Sequence, residues 1–201
     1  MLVTKASPDF TAPAVLGNNE IVDNFNLYNE IGKNGAVVFF YPKDFTFVCP
    51  SEIIAFDKRF NEFKERGITV IGISGDNEFC HFAWKNTPVN QGGIGQVRFP
   101  LVADLDRSIA RKFDVLYNES VALRGSFLID AKGKIIRHAI INDLPLGRDV
   151  DEMLRVVDMM LFTNEHGEVC PAQWGKGDAG MKADTKGVAD YLAKNEEKLA
   201  K

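Results

Sequence analysis

AVVFFYPKDFTFVCPSE, residues 36–52, is the stretch that decides the fold. It opens with a continuous apolar, β-rich run, which predicts a strand that is buried on both faces and stops at Pro42. A loop follows, and Pro50 favours a helix that begins near Cys49, because proline is tolerated in the first helical turn. Apolar residues then recur at helical spacing until about Gly67, at Ile53, Phe56, Phe60 and Phe63.

The order strand, loop, helix recurs further along the chain. Residues 68–74 predict a second buried strand, and a helix is predicted over about 77–85. Residues 126–130 and 135–140 are β-like runs around a short loop, which indicates a hairpin, and a last core helix is predicted over about 149–162. This alternation predicts an α/β domain around a parallel βαβ core.

Composition limits the possible functions. The chain has 201 residues, 45% of them hydrophobic, and a formal charge of -4 that is spread along the sequence. Nothing in that distribution favours binding to nucleic acid or to an anionic membrane. We find no secretory signal and no apolar run of membrane-spanning length, so a cytoplasmic protein is expected. Three cysteines in a reducing compartment are structural thiols or redox-active groups.

The composition changes after Thr163. Gly, Lys, Asp and Ala dominate from there, with few apolar residues before Val188, Tyr191 and Leu192. We therefore predict a core domain over residues 1–163 and a C-terminal arm over residues 164–201.

Cys49 is the first candidate for chemistry. It lies where a loop enters a helix, so the unpaired N–H groups and the positive end of the helix dipole favour its thiolate. A fully ionised thiol gains only roughly thirtyfold over an ordinary one at neutral pH, and part of that gain is lost because nucleophilicity falls with basicity. Enzymes accelerate reactions about a millionfold or more, so a cation and positioned N–H donors are also expected near the sulfur.

The segment from Pro42 to Pro50 matches the peroxiredoxin active-site pattern of Pro, three residues, Thr, two residues and Cys. The whole chain resembles the typical two-cysteine peroxiredoxins, including the alkyl hydroperoxide reductase C component-like subfamily. The resemblance implies a thioredoxin-like α/β fold with a C-terminal extension arm, a peroxidatic Cys49, and a shielding role for Pro42. It further implies that Thr46 hydrogen-bonds the peroxide and the thiolate, that Arg124 is the expected cation, and that Glu52 orients this arginine.

Cys170 lies on the proposed arm, in the sequence GEVCPAQW, residues 167–174. A sulfenic acid on Cys49 needs a second thiol before more peroxide oxidises it to sulfinic acid. The segment resembles the resolving-cysteine motif of the family, with Gln173 in place of the usual glycine. The resemblance implies a disulfide between Cys49 and Cys170 of two subunits, a homodimer, and rings of ten subunits.

The same resemblance implies a cofactor-free peroxidase that reduces hydrogen peroxide and organic hydroperoxides. It also implies that a protein dithiol re-reduces the enzyme, either thioredoxin or a flavoprotein disulfide reductase. Cys80 lies among aromatic residues of a predicted helix and is interpreted as structural. The three histidines show no metal-ligand spacing, and each is interpreted as a packing or surface residue: His81, His138 and His166.

Two alternatives stay open from the residues alone. A thioredoxin-like disulfide reductase would normally have a Cys-x-x-Cys motif, whereas Cys49 is followed by Pro50, Ser51 and Glu52. A ring-forming holdase chaperone is compatible with a peroxidase, because some members of the family do both. Suppression of client aggregation that survives Cys49→Ser would distinguish the chaperone from a pure peroxidase.

Overall fold

The computed structural model describes residues 1–200. Its contacts separate residues 1–150 from the residues that follow, and the two units are described separately. In chain order, the first unit contains β1 (Thr11–Val15), β2 (Ile21–Asn26), α1 (Leu27–Glu30), β3 (Gly35–Phe40), α2 (Cys49–Lys58), α3 (Phe60–Glu65), β4 (Ile68–Ser74), α4 (Glu78–Asn86), β5 (Leu101–Ala103), α5 (Ser108–Lys112), β6 (Leu116–Tyr117), β7 (Val121–Ala122), β8 (Arg124–Asp130) and β9 (Ile136–Asn142). Helix α6 (Val150–His166) begins at the last residue of this unit, and α7 (Thr185–Asn195) belongs to the second.

A seven-stranded sheet in the order β2-β1-β5-β4-β3-β8-β9 forms the framework of the first unit. Strand β4 runs parallel to both of its neighbours, β3 and β5, as expected for a βαβ core. Strand β8 runs antiparallel to both β3 and β9, and β1 runs antiparallel to β5. The predicted hairpin is β8 and β9. The predicted α/β class with a thioredoxin-like fold is confirmed.

Alternate side chains of the central strand β3 point to opposite faces of the sheet, and all six of its residues are buried. Phe40 packs against Phe113 and Phe127, with ring centroids 5.1 and 5.9 Å away. Phe39, on the other face, stacks on Phe56 of α2 at 4.4 Å. Each buried phenylalanine contributes about 1.5–3 kcal/mol of transfer free energy, so β3 fixes the position of α2 and of Cys49 at its start.

Two helices differ from the sequence expectations. The helical stretch after Cys49 is interrupted at Arg59, whose backbone (φ -97°, ψ 6°) leaves helical geometry between α2 and α3. Helix α6 continues to His166, past its predicted end at Phe162. The prediction that an arm begins at residue 164 stays a prediction.

The second unit combines most of α6 with α7. Asp184 caps α7, because its side chain accepts a hydrogen bond of 2.6 Å from the backbone N–H of Gly187. In the segment that connects α6 to α7, Val169 and Met181 pair as an isolated antiparallel bridge. Across residues 1–200, the structure contains no helix that is both long enough and apolar enough to span a membrane.

Candidate active site

Cys49 is the first residue of α2, and its side chain is 1% exposed. The preceding residue, Val48, supplies no side-chain cap, so no side chain satisfies the N–H groups of the first turn from that position. Ser51 instead donates from both its backbone N–H and its hydroxyl to the carbonyl of Val48. The sulfur therefore lies at the positive end of the helix, buried beneath the surface.

The Thr46 hydroxyl faces two acceptors. Its Oγ1 lies 3.1 Å from Cys49 Sγ and 2.7 Å from the carbonyl of Lys43. A hydroxyl has one proton, so it donates to only one of them at a time. When Cys49 is a thiol, Thr46 donates to Lys43 and accepts the S–H; when Cys49 is a thiolate, Thr46 donates to the sulfur. The same hydroxyl thus serves both protonation states.

Arg124 is distant from Cys49 in the sequence but lies beside its sulfur in the fold. It is the first residue of β8, and its Nη1 donates to Cys49 Sγ at 3.4 Å and to Glu52 Oε2 at 2.6 Å. Its Nε donates to the carbonyl of Leu144 at 2.7 Å, which fixes the plane of the guanidinium. The predicted grouping of Cys49, Thr46, Arg124 and Glu52 is present in the structure.

Arg148 completes this group, and the sequence reasoning missed it. Its Nε and Nη2 donate to the two oxygens of Glu52 at 2.9 and 3.2 Å, and its backbone N–H donates to Oε1 at 3.2 Å. Its Nη1 donates to the carbonyl of Gly125, and the guanidinium lies 5.0 Å from the centre of the Phe39 ring. Burial lowers the pKa of Arg148 from its usual value, an effect that the hydrogen bonds to Glu52 oppose.

The buried charged groups at the site carry a net positive charge unless Cys49 is a thiolate. Arg124, Arg148 and Glu52 have side chains that are 4%, 3% and 2% exposed, so two cations share one carboxylate away from water. An uncompensated buried charge is costly, and a thiolate on Cys49 neutralises the remaining positive charge. The site therefore favours an anion at the sulfur or beside it.

Pro42 lies just beyond the end of β3 and is half-buried, on the loop that leads to Cys49. In the same loop, Asp44 is buried and accepts from Tyr41 Oη at 2.9 Å, and its other oxygen lies 2.7 Å from His81 Nδ1. The second ring nitrogen of His81 is 3.2 Å from the carbonyl of Val102. His81 is therefore a buried polar residue that ties the Cys49 loop to α4.

Cys80 lies at the edge of this network. Ligand atoms of Asp44, Asp76 and Cys80 approach within 4.8 Å of one another, a separation that a bound cation could bridge. Internal hydrogen bonds already occupy both oxygens of Asp44, and Asp76 Oδ2 accepts from Ser74 and from a backbone N–H. Burial, followed by the neighbouring carboxylates, raises the pKa of the Cys80 thiol to about 12.

Cys170 belongs to the second unit and is a half-buried free thiol. Its Sγ lies 3.7 Å from the carbonyl of Met159 and 3.8 Å from Oγ1 of Thr163, both on α6. Cys49 and Cys80 are also free thiols.

Comparisons with known proteins give consistent results. Residues 3–138 match the family model of the AhpC/TSA family, and residues 159–194, which include Cys170, match the C-terminal domain of 1-Cys peroxiredoxin. The alkyl hydroperoxide reductase C of Helicobacter pylori strain 26695 is 66% identical over 99% of this chain and 100% of its own length. Peroxiredoxin-1 of Gallus gallus is 50% identical over 96% of each chain. The reduced 2-Cys peroxiredoxin of Plasmodium vivax superposes with a TM-score of 0.93 at 45% identity, covering 96% of this chain and 99% of that one.

Proposed function

The chain belongs to the AhpC/TSA family of peroxiredoxins and is a thiol peroxidase with an antioxidant function, and from this premise we propose that Cys49 is its peroxidatic residue. The observation that carries the proposal is the pair of buried arginines that share Glu52, because they leave one positive charge beside Cys49 Sγ. The substrate is a hydroperoxide, and the electrons come from a thiol reductant.

In the first step, the Cys49 thiolate attacks the terminal oxygen of the hydroperoxide. A sulfur–oxygen bond forms, the oxygen–oxygen bond breaks, and the leaving oxygen departs as an alcohol or water after it takes up a proton. Charge moves from the sulfur to that oxygen during the step. Arg124 and the Thr46 hydroxyl are the donors that lie closest to the sulfur, at 3.4 and 3.1 Å, so we assign them to stabilise this transfer. Glu52 and Arg148 hold Arg124 in place, and Pro42 shields the sulfur from solvent.

In the second step, the Cys170 thiolate attacks the sulfenic acid of Cys49 on another subunit. The disulfide forms and the hydroxyl leaves as water with one proton. Cys49 is 1% exposed and begins a helix, so the first turn of α2 has to unwind before a second sulfur can approach to bonding distance. A protein dithiol, either thioredoxin or a flavoprotein disulfide reductase, then reduces the disulfide.

A homodimer is supported by the edge strand of the sheet. Strand β9 is the last strand of the sheet. The outer edge of its first residue, Ile136, hydrogen-bonds to the backbone of Thr4 and Lys5, and further along the strand Ile140 and Ile141 are 42% and 45% exposed. An exposed apolar edge strand is a template for pairing with a second copy.

Exposed aromatic residues on the Cys49 loop and on α4 support a further contact between dimers in a decamer: Phe45, Phe47, Phe79 and Phe82. We propose a cytoplasmic location, because three cysteines in a chain of 201 residues are too few and of the wrong parity for a stabilising disulfide framework.

Rapid mixing of the reduced protein with one equivalent of hydrogen peroxide tests these roles. The wild type should consume peroxide quickly and give a covalent dimer on a non-reducing gel. Cys49→Ser should consume none, and Cys170→Ser should consume peroxide but stop at a sulfenic acid without a covalent dimer. Unchanged consumption by Cys49→Ser would refute the assignment of the peroxidatic residue.

A further inference from the structure

The segment that carries Cys170 is pinned at two points within the second unit. On its N-terminal side, Val169 and Met181 exchange two backbone hydrogen bonds, of 2.9 and 3.0 Å. On its C-terminal side, the buried Trp174 packs against Phe162, with ring centroids 5.0 Å apart, and its indole N–H donates to the carbonyl of Asp178. Cys170 therefore lies on a short loop with both ends fixed.

Arg155 fastens the second of these points to α6. Its Nη1 donates to the backbone carbonyl of Trp174 at 2.8 Å. Its Nε and Nη2 donate to the two oxygens of Glu152 at 2.6 and 2.8 Å, which holds the guanidinium in one orientation. We call this set, Glu152, Arg155 and the Trp174 carbonyl, the Arg155 clamp. The hydrogen bonds that Arg155 donates to Glu152 are the main cause that raises the pKa of Arg155, so its guanidinium stays charged throughout the physiological range.

The turn beside the clamp is under strain. Gln173 has a φ of 61°, in the left-handed region that glycine adopts most easily. A residue with a Cβ in that conformation stores free energy that neighbouring contacts have to offset. The hydrogen bond from Arg155 to the next residue, Trp174, supplies such a contact, so its loss should open the loop.

We propose that Arg155 is a positioning residue for the resolving step, and that its hydrogen bond to the Trp174 carbonyl has to break before Cys170 reaches the sulfenic acid. The proposal rests on the proposed role of Cys170. In the closed loop the Cys170 sulfur faces the carbonyl of Met159, 3.7 Å away, and the new disulfide requires it to approach another sulfur to about 2.05 Å. Because contacts hold both ends of the loop, that movement requires the contacts at one end to break.

The clamp therefore slows resolution and leaves the peroxide step unchanged. A slow resolving step gives a second peroxide molecule time to oxidise the Cys49 sulfenic acid to sulfinic acid. The Arg155 clamp thus sets how much peroxide the protein tolerates before it is inactivated. Arg155 and Glu152 are 35% and 43% exposed, so the clamp is a partly solvated ion pair, and we expect a moderate effect of about fivefold on the resolving rate.

Arg155→Lys is the direct test, because lysine keeps the charge but cannot bind Glu152 with two nitrogens and donate to Trp174 at once. Glu152→Gln removes the group that orients the arginine and should have the same effect, with no further gain in the double variant. Arg59→Lys is the matched control, because Arg59 also pairs with a glutamate three residues away, Glu62, at 2.9 Å and at an exposed site.

Stopped-flow kinetics over a range of peroxide concentrations separate the two steps, since only the first depends on peroxide. Arg155→Lys and Glu152→Gln should leave the peroxide rate constant unchanged and raise the resolving rate constant about fivefold. The peroxide concentration that converts half of Cys49 to sulfinic acid, measured by mass spectrometry, should rise by the same factor. A loss of overall folding would instead slow the peroxide step as well. Fluorescence of Trp174, measured with Trp84→Phe in every protein, should shift to the red in the reduced variants.

An unchanged or slower resolving step in Arg155→Lys would overturn the proposal. An error in the proposed role of Cys170 gives a different result. The kinetic phase whose rate does not depend on peroxide, which we assign to resolution, would then still occur in Cys170→Ser. If that phase disappears in Cys170→Ser and Arg155→Lys still resolves like wild type, only the role of the Arg155 clamp is wrong.

Discussion

Glu52→Gln tests the charge arrangement at the site most sharply. The substitution keeps the size of the side chain but removes the carboxylate that accepts four hydrogen bonds, one from Arg124 and three from Arg148. Two buried guanidinium groups then share no counterion except the Cys49 thiolate. Loss of one partner from a buried ion pair typically costs about 3–5 kcal/mol, because a charge stays behind without compensation.

We therefore expect the free energy of unfolding of the reduced protein to fall by about 3–5 kcal/mol in Glu52→Gln. The rate constant with hydrogen peroxide should fall at least tenfold, because Arg124 loses the group that aims it. Urea unfolding followed by circular dichroism, at one fixed protein concentration, measures the first effect, and stopped-flow mixing measures the second. Glu62→Gln is the control, because Glu62 pairs with Arg59 at an exposed site and should change stability by less than about 1 kcal/mol. Equal effects of the two substitutions would refute the reasoning.

Three other substitutions and measurements follow from the structure. Thr46→Val should lower the peroxide rate constant about tenfold or more, because it removes the hydroxyl that lies 3.1 Å from Cys49 Sγ. Thr46→Ser keeps a hydroxyl and should retain most of the wild-type rate constant. Equal rates for the two variants in stopped-flow experiments would contradict the role of the hydroxyl. Burial lowers the pKa of Lys85 to about 8, below its value of 10.5 in the unfolded chain. The unfolded chain therefore binds more protons between pH 8 and about 10.5, and the free energy of unfolding of the wild type rises with pH over that range. Lys85→Met should therefore be more stable than wild type by roughly 2 kcal/mol at pH 7, and urea midpoints should show the difference shrinking by pH 10; a difference independent of pH would contradict this explanation. The pKa of about 12 predicts that Cys80 in the native protein is alkylated by iodoacetamide at pH 8 far more slowly than in the urea-unfolded protein, as measured by peptide mass spectrometry, and equal rates would be inconsistent with it.

The central strand, the Cys49 helix and the hairpin could be predicted because local patterns specify them. A continuous apolar run, helical spacing of apolar residues, and two β-like runs around a short loop each appear within about ten to fifteen residues. Cys49 and Thr46 also lie close together in the chain. Arg124 and Glu52 were found only through the family resemblance, because nothing local distinguishes Arg124 from a surface arginine beside a turn, or Glu52 from an ordinary acid in a first helical turn.

Arg148 was missed for a physical reason. Its partner Glu52 is 96 residues away in the sequence, and the two meet only because the sheet brings the start of α2 beside the loop before α6. That loop, which reads LPLGRD over residues 144–149, carries no periodic pattern. Helix α7 was missed although Asp184 supplies a capping signal, because the glycine and lysine content around it favours an irregular segment.

The short strands at the far edge of the sheet were also missed. Strand β1 has five residues and includes Pro13, and β2 alternates weakly, with Phe25 as its one fully buried residue. Pairing with β5 places β1 in the sheet, so its conformation is decided by neighbours distant in sequence. His81 was interpreted as a packing or surface residue, and its buried contact with Asp44 could not be read from spacing alone.

The most direct test of the catalytic cycle is a mixed dimer of Cys49→Ser and Cys170→Ser subunits, obtained by co-expression. Neither variant alone can form a disulfide between these two residues. If Cys49 of one subunit is resolved by Cys170 of the other, the mixed dimer has one complete pair, and hydrogen peroxide should convert it to a covalent dimer on a non-reducing gel. If the mixture stays monomeric on that gel while wild type is cross-linked, the inter-subunit disulfide is wrong.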